Sequence, residues 1–280
     1  MSVAIPCQPG VAVQDSAANP SRVAQESSPP QTDQTAGAAS KGMVLENARR
    51  VVARLSAELK DFTRAPGPNQ KLLVMVKMND DLLALRTLFA LCGLPVMATF
   101  TLVLSRFIAS SSRDLNSLSD SKIMTACKAV DFLARVLEGE ADLAQSGNEP
   151  LSFLVVDDDA VSRKALSFAL RLPGTKVECA ESAEQAIKLL REHSFDAVFT
   201  DIMMPGLDGF GLTQELKTLP NHTSTPFVYV TALSDLQTRS KAVLIGSYGL
   251  ITKPFSPGEI ALKALKIALQ ARLPGRLSLD

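Results

Sequence analysis

Phe153-Leu154-Val155-Val156-Asp157-Asp158-Asp159 decides the fold, because four apolar residues run directly into three carboxylates. An unbroken apolar run with β-branched members suits a strand covered on both faces, as in a parallel sheet. Short runs of the same kind recur at Lys176-Val177-Glu178-Cys179, Ala197-Val198-Phe199, Phe227-Val228-Tyr229-Val230 and Leu250-Ile251. Helical patterns separate them. The alternation predicts an α/β domain over residues 151–273, a doubly wound five-stranded parallel sheet with helices on both faces. Ser182-Ala-Glu-Gln185, Ser234-Asp-Leu-Gln237 and Ser256-Pro-Gly-Glu259 read as capping boxes at three helix starts, the last with Pro257 at the first helical position.

Ligands of an open parallel sheet bind beyond the carboxyl ends of its strands, so the residues there carry the chemistry. The first strand ends in Asp157-Asp158-Asp159, the third in Asp201 and the fourth in Thr231, while Lys253-Pro254 follows the fifth. Carboxylates converging on one edge repel one another, and a hard divalent cation held by oxygen ligands relieves that repulsion. Sites with few carboxylates and open positions suit Mg²⁺ bound together with a phosphate. Thr231 supplies a hydroxyl and Lys253 a cation for an anionic group. One such element alone is an ordinary loop or turn; four in consistent order at strand ends point to a carboxylate prepared to accept a phosphoryl group.

Val155-Val156-Asp157-Asp158-Asp159, Thr200-Asp201-Ile202-Met203-Met204-Pro205-Gly206-Leu207-Asp208-Gly209, Val230-Thr231-Ala232 and Lys253-Pro254-Phe255 together resemble the receiver domain of two-component response regulators, a flavodoxin-like fold. The resemblance implies a phosphoacceptor at Asp201 and Mg²⁺ held by Asp158, Asp201 and the Met203 carbonyl, with Asp157 assisting through water. It implies that Thr231 and Lys253 contact the bound phosphoryl group, and that the donor is a phosphohistidine on a histidine kinase or phosphotransfer protein. Catalysis is then positional and electrostatic, limited to the domain's own phosphorylation and dephosphorylation. The sequence departs from the family at one point. Receivers commonly place Tyr or Phe three residues before the lysine, where this chain has Leu250; Tyr248 lies earlier, outside the strand. Leu250 is therefore expected to stay buried throughout, and the usual aromatic readout is in doubt.

Residues 1–41 contain no Leu, Phe, Tyr or Trp and are rich in Pro, Ser, Gln, Ala and Thr. Such a segment buries too little apolar surface to offset its chain entropy, so a disordered tail is expected. Met1 to Pro9 lacks the basic start and apolar run of a signal peptide. From Met43 onward, Val44, Leu45, Ala48, Val51, Val52, Leu55 and Leu59 recur at helical spacing, and Pro66-Gly67-Pro68 interrupts the pattern. Further helices are predicted over 71–91, 95–110 and 121–138, giving an α-helical interaction domain over 42–138. A linker follows over 139–150, and a C-terminal tail over 274–280.

The segment from Arg86 to Val96, with the helices after it, is similar to histidine-phosphotransfer domains, which are helical bundles. Laid over the Gly93-Leu94 turn, that family's histidine falls on Leu83 and its lysine on Arg86, and no histidine precedes His193. The acceptor is thus missing. Two other readings compete for this half. One is a phosphatase-like partner using Asn79, Asp80 and Asp81. The other is a membrane-anchored scaffold using Thr87 to Ser105, nineteen residues without a charge, set against the roughly 20 that a spanning helix needs. Thr87, Cys92, Thr99, Thr101, Ser105 and the Gly93-Leu94-Pro95 break favour two buried helices instead.

Lys and Arg number 29 and so do Asp and Glu, which leaves no basic footprint for nucleic acid. The four cysteines are too widely spaced for a zinc site, and two histidines exclude a multi-histidine centre. The cysteines are expected to be reduced and structural, and His193 and His222 solvated. The sum is a cytoplasmic response regulator that accepts a phosphoryl group on Asp201 and signals through protein contacts, with no nucleic-acid or membrane partner.

Overall fold

The computed structural model describes residues 33–112, 120–138, 149–233 and 235–273, and the side chains of 33–40, 112 and 121 lie outside that description. Four helices come first: α1 (Asp33–Arg64), α2 (Pro68–Leu91), α3 (Pro95–Ser112) and α4 (Asp120–Glu138). Helix α1 begins ahead of Met43, inside the segment whose composition predicts a tail; residues 1–32, 139–148 and 274–280 lie outside the described residues.

Pro68 opens α2 behind Gly67, where its missing N–H costs nothing. The helix closes on Gly93 at φ 69°, with the Gly93 amide bonded to Ala90 O and the Leu94 amide to Phe89 O. This left-handed glycine cap reverses the chain, buries Leu94 and hands it to Pro95 of α3. The turn therefore divides Thr87–Ser105 between two helices. Among the described residues no helix is long and apolar enough to cross a membrane. The membrane-anchored alternative is corrected accordingly, because length without continuous apolar composition does not make a span. Inside the bundle, Leu55, Leu82, Leu85, Phe89, Phe100 and Phe132 are wholly buried. At its end the Arg49 guanidinium donates to the Leu137 carbonyl at 3.2 and 3.0 Å, joining α1 to the carboxyl end of α4.

The second half alternates β1 (Leu151–Val156), α5 (Ala160–Leu170), β2 (Thr175–Ala180), α6 (Ala183–Glu192), β3 (Ala197–Thr200), α7 (Gly209–Thr218), β4 (Phe227–Thr231), α8 (Leu236–Ile245), β5 (Gly249–Thr252) and α9 (Pro257–Arg272). All strand pairs are parallel, in the order β2-β1-β3-β4-β5. Strand alternation sorts the core: Phe153, Val155 and Phe199 face α5 and α9, while Leu154, Val156 and Tyr229 face α6 and α7.

Helix starts follow the expectation in part. Ser182 accepts the Gln185 amide as the capping box requires. Before α8 the cap is Asp235, which accepts the Thr238 amide at 2.9 Å; Ser234 lies outside the described residues. Ser256 holds the cap position of α9 without a side-chain bond, and Glu259 instead accepts Lys263 at 2.7 Å. Proline at the first position sets the helical backbone there without the hydroxyl.

The two halves share one core. Helix α9 packs against α3 and α4 as well as the sheet. A Cβ on Gly258 would lie 3.3 Å from the Phe107 ring, and Thr99 donates to the Pro173 carbonyl at 2.9 Å.

Candidate functional site

The carboxyl ends of β1, β3, β4 and β5 bring Asp157, Asp201, Thr231 and Lys253 to one edge of the sheet. Between β1 and β3 lies the topological switch point, where the strand order reverses direction and leaves a crevice. The amide of Asp201 donates to Val156 O, and that of Lys253 to Thr231 O, so the ladder itself sets the spacing of the edge. Carboxylate oxygens of Asp157, Asp158 and Asp201 all lie within 4.8 Å of one another. Asp157 is 1% exposed and Asp201 8%, whereas Asp158 faces solvent.

The Lys253 ammonium bridges the cluster, donating to Asp157 Oδ2 at 2.7 Å and to Asp201 Oδ2 at 2.6 Å. Burial by itself would lower the Lys253 pKa, but the bonds and charges of these two carboxylates outweigh it and hold the pKa above its ordinary value. Three carboxylates against one ammonium leave an excess of negative charge on an all-oxygen donor set with one open side. That set fits a hard divalent cation such as Mg²⁺. Asp159, the third of the acidic run, is used otherwise: it caps α5 by accepting the Ser162 and Val161 amides, and these bonds lower its pKa.

The loop after Asp201 is held from both sides. The Met203 amide donates to Asp201 Oδ1 at 3.1 Å, leaving Oδ2 to Lys253. A Cβ on Gly209 would sit 2.1 Å from the Asp201 carbonyl oxygen, so α7 can start this close to Asp201 only with glycine. Thr231 is fully buried at the end of β4, and its Oγ1 accepts the Leu233 amide at 3.3 Å.

Residues 153–265 match the family described as the response regulator receiver domain. The "Probable chemotaxis protein CheY" of Rhizobium etli is 33% identical over 124 residues, which are 44% of this chain and 92% of that one. The chain belongs to the response regulator receiver family. A "Probable transcriptional regulator ycf27" of Cyanidium caldarium is 36% identical over 114 residues, 41% of this chain and 45% of its own. The chain thus spans about half the length of the curated ycf27 relatives it matches. Among solved structures, the Francisella response regulator 1452 receiver domain is 26% identical with a TM-score of 0.40, covering 43% of this chain and 98% of that one.

Two receiver residues escaped the sequence reading. Ser162 Oγ donates to Asp157 Oδ2 at 2.6 Å, and Arg163 donates to the main-chain carbonyls of Asp157 and Asp158 at 2.6 and 3.2 Å. Their signal was position alone: polar residues in the first turn of a helix that starts beside the cluster. His222 is corrected from solvated to buried, at 1% exposure, with its ring nitrogens on Thr225 Oγ1 and the Leu190 and His193 carbonyls. A loop histidine folds inward where carbonyls at a helix end lack partners. Leu250 is half-buried against the α6–α7 face, and Tyr248 packs into the core shared with the bundle.

The other candidates separate. Asn79 Oδ1 accepts Ser105 Oγ at 2.5 Å, Asp81 is forked by Arg54, and Asp80 is exposed, so no acid and amide pair forms an open site. Cys92, Cys127 and Cys179 are free thiols; Cys7 lies outside the described residues.

Proposed function

We propose that the chain is a phosphorylatable response regulator in which Asp201 accepts a phosphoryl group from the phosphohistidine of a kinase or phosphotransfer protein. The observation that carries this reading is the Lys253 ammonium within 2.7 Å of Asp157 and 2.6 Å of Asp201 in a cluster of three carboxylates. An Asp201 carboxylate oxygen forms the new P–O bond while the donor's P–N bond breaks and the imidazole leaves. Lys253 faces Asp201 Oδ2 and supplies positive charge to the phosphoryl oxygens, and Thr231 donates its hydroxyl to one of them. Asp158, Asp201 and the Met203 carbonyl would hold Mg²⁺, with Asp157 acting through water. When bound, the ion would neutralise charge between carboxylates and phosphate. Positioning and electrostatics suffice for such transfer, so the domain needs no catalysis beyond its own phosphorylation and dephosphorylation.

The output reading is protein contact rather than DNA binding, in a cytoplasmic setting, supported by the balance of 29 basic and 29 acidic residues and by the packing of α9 on α3 and α4. The bundle then acts as the interaction domain that reads the receiver. A small-molecule phosphodonor with Mg²⁺ should add one acid-labile phosphoryl group to the protein, and Asp201→Asn should abolish it. Undiminished labelling of the variant would overturn the assignment.

A further inference from the structure

A cavity of about 310 Å³ lies where the bundle meets the receiver, bounded by α3 and α4 on one side and by β5 and α9 on the other. Its walls are apolar, formed by Phe100, Ala129, Ile251, Leu262 and Ile267. Its charged groups are three lysines, Lys128, Lys263 and Lys266, with no carboxylate in the lining. Gln270, 8% exposed, lines the cavity with its amide side chain. Lys128 and Lys266 line it too, and neither has a carboxylate within ion-pairing distance among the described residues. The third lysine of the wall, Lys263, is already bound to Glu259. Both unpaired lysines also border an adjoining depression with Asp131 and Arg135, so cationic charge concentrates at that end. Half-buried Lys266 is disfavoured as a cation there by burial, then by Arg135 and Lys128, with Asp131 only partly opposing.

We propose that this cavity binds an amphiphilic carboxylate, with the apolar chain between Phe100, Leu262 and Ile267 and the anionic head at Lys266, Lys128 and the Gln270 amide. A concave, largely apolar volume with a small number of convergent polar groups is the usual form of a small-ligand site, and this half-open volume is at the lower end of that range. A carboxylate supplies the countercharge that the two lysines lack, and the Gln270 amide can donate to it. Because the walls come from both halves and include Tyr248 and Leu250, occupancy favours the arrangement in which bundle and receiver are docked.

Isothermal titration of the full chain with sodium decanoate below its micellar concentration tests this. One site is expected, with binding at least tenfold weaker for decanol and none for decyltrimethylammonium. Lys266→Met should weaken decanoate at least tenfold and Gln270→Leu several-fold, while Lys266→Arg retains it. On binding, amide exchange should slow at 248–251 and 266–270. Equal binding of decanol, indifference to Lys266→Met and Gln270→Leu, exchange protection elsewhere, or no binding of decanoate would each overturn the proposal.

Discussion

Each half of the molecule holds a cation between elements distant in sequence, and burial gives the two arrangements different consequences. In the receiver, Lys253 bridges Asp157 and Asp201, with side-chain exposures of 19%, 1% and 11%. In the bundle, Arg54 forks Asp81 at 2.9 and 2.8 Å, with side-chain exposures of 59% and 16%. Geometry is good in both, and the Arg54 fork is the better formed. Water at the cation decides the difference: Lys253 is largely removed from it and depends on Asp157 and Asp201, whereas Arg54 can exchange Asp81 for solvent at little cost. Buried charge gathers at the sheet edge of the receiver, whereas the buried core of the bundle is largely apolar.

The largest test removes the buried cation. Lys253→Met keeps the side chain's length but leaves three carboxylates uncompensated, which should destabilise the protein by about 3 kcal/mol, the lower end for a broken buried pair because Asp158 opens to solvent. Added Mg²⁺ should restore stability to this variant more than to the parent, as read by urea midpoints. A variant as stable as the parent without Mg²⁺ would erase the distinction between the two halves.

Glycines sharpen the same contrast. Gly209→Ala should cost about 3 kcal/mol, the upper end for overpacking, because the new Cβ meets the Asp201 carbonyl at 2.1 Å and backbone must move. In the bundle, Gly93→Ala meets nothing within 4 Å and pays only for a φ of 69°, about 1 kcal/mol. Phosphorylation of Asp201 should fall in the first variant and not in the second.

These contrasts also show what the sequence made legible. Strand ends were readable because period and position coincide: Asp157, Asp201, Thr231 and Lys253 each follow an apolar run, and one topology gathers them. What escaped was tertiary. The inward turn of His222 and the docking of Phe107 on Gly258 depend on neighbours far along the chain, for which no local pattern exists. The missing box at Ser256 is subtler: Pro257 already orders the backbone, so the hydroxyl is dispensable.

A smaller effect appears at alkaline pH. Burial pushes the Tyr229 hydroxyl up to about 12, with its bond to Thr213 opposing and Asp208 adding. A pKa raised above its unfolded value of 10.0 contributes stability that is complete below pH 10 and lost as pH rises toward 12, by about 2 kcal/mol. Lys253, also raised, adds a loss above pH 10.5. Tyr229→Phe should flatten the first part and leave the second, as measured by denaturation midpoints between pH 9 and 12. Identical profiles for parent and variant would remove Tyr229 from the account.

The smallest effect belongs to the pair whose cation is exposed. Arg54 and Asp81 join α1 to α2 through two parallel bonds, the arrangement most favourable to a surface ion pair. Against this stand the screening of a guanidinium 59% exposed and the entropy of holding its long side chain in one rotamer. A double-mutant cycle of Arg54→Ala and Asp81→Ala should therefore return a coupling of about 0.5 kcal/mol, falling further in 1 M salt. Glu58 qualifies the single variants. Its pKa is raised first by burial and then by Asp81, with Lys77 and Arg54 opposing, so Asp81→Ala relieves a repulsion while it breaks a bond. Asp81→Ala should then cost less than Arg54→Ala, and only the cycle isolates the pair. A coupling above about 2 kcal/mol, insensitive to salt, would show that the bundle too relies on a charge shielded from water, and the contrast with Lys253 would fail.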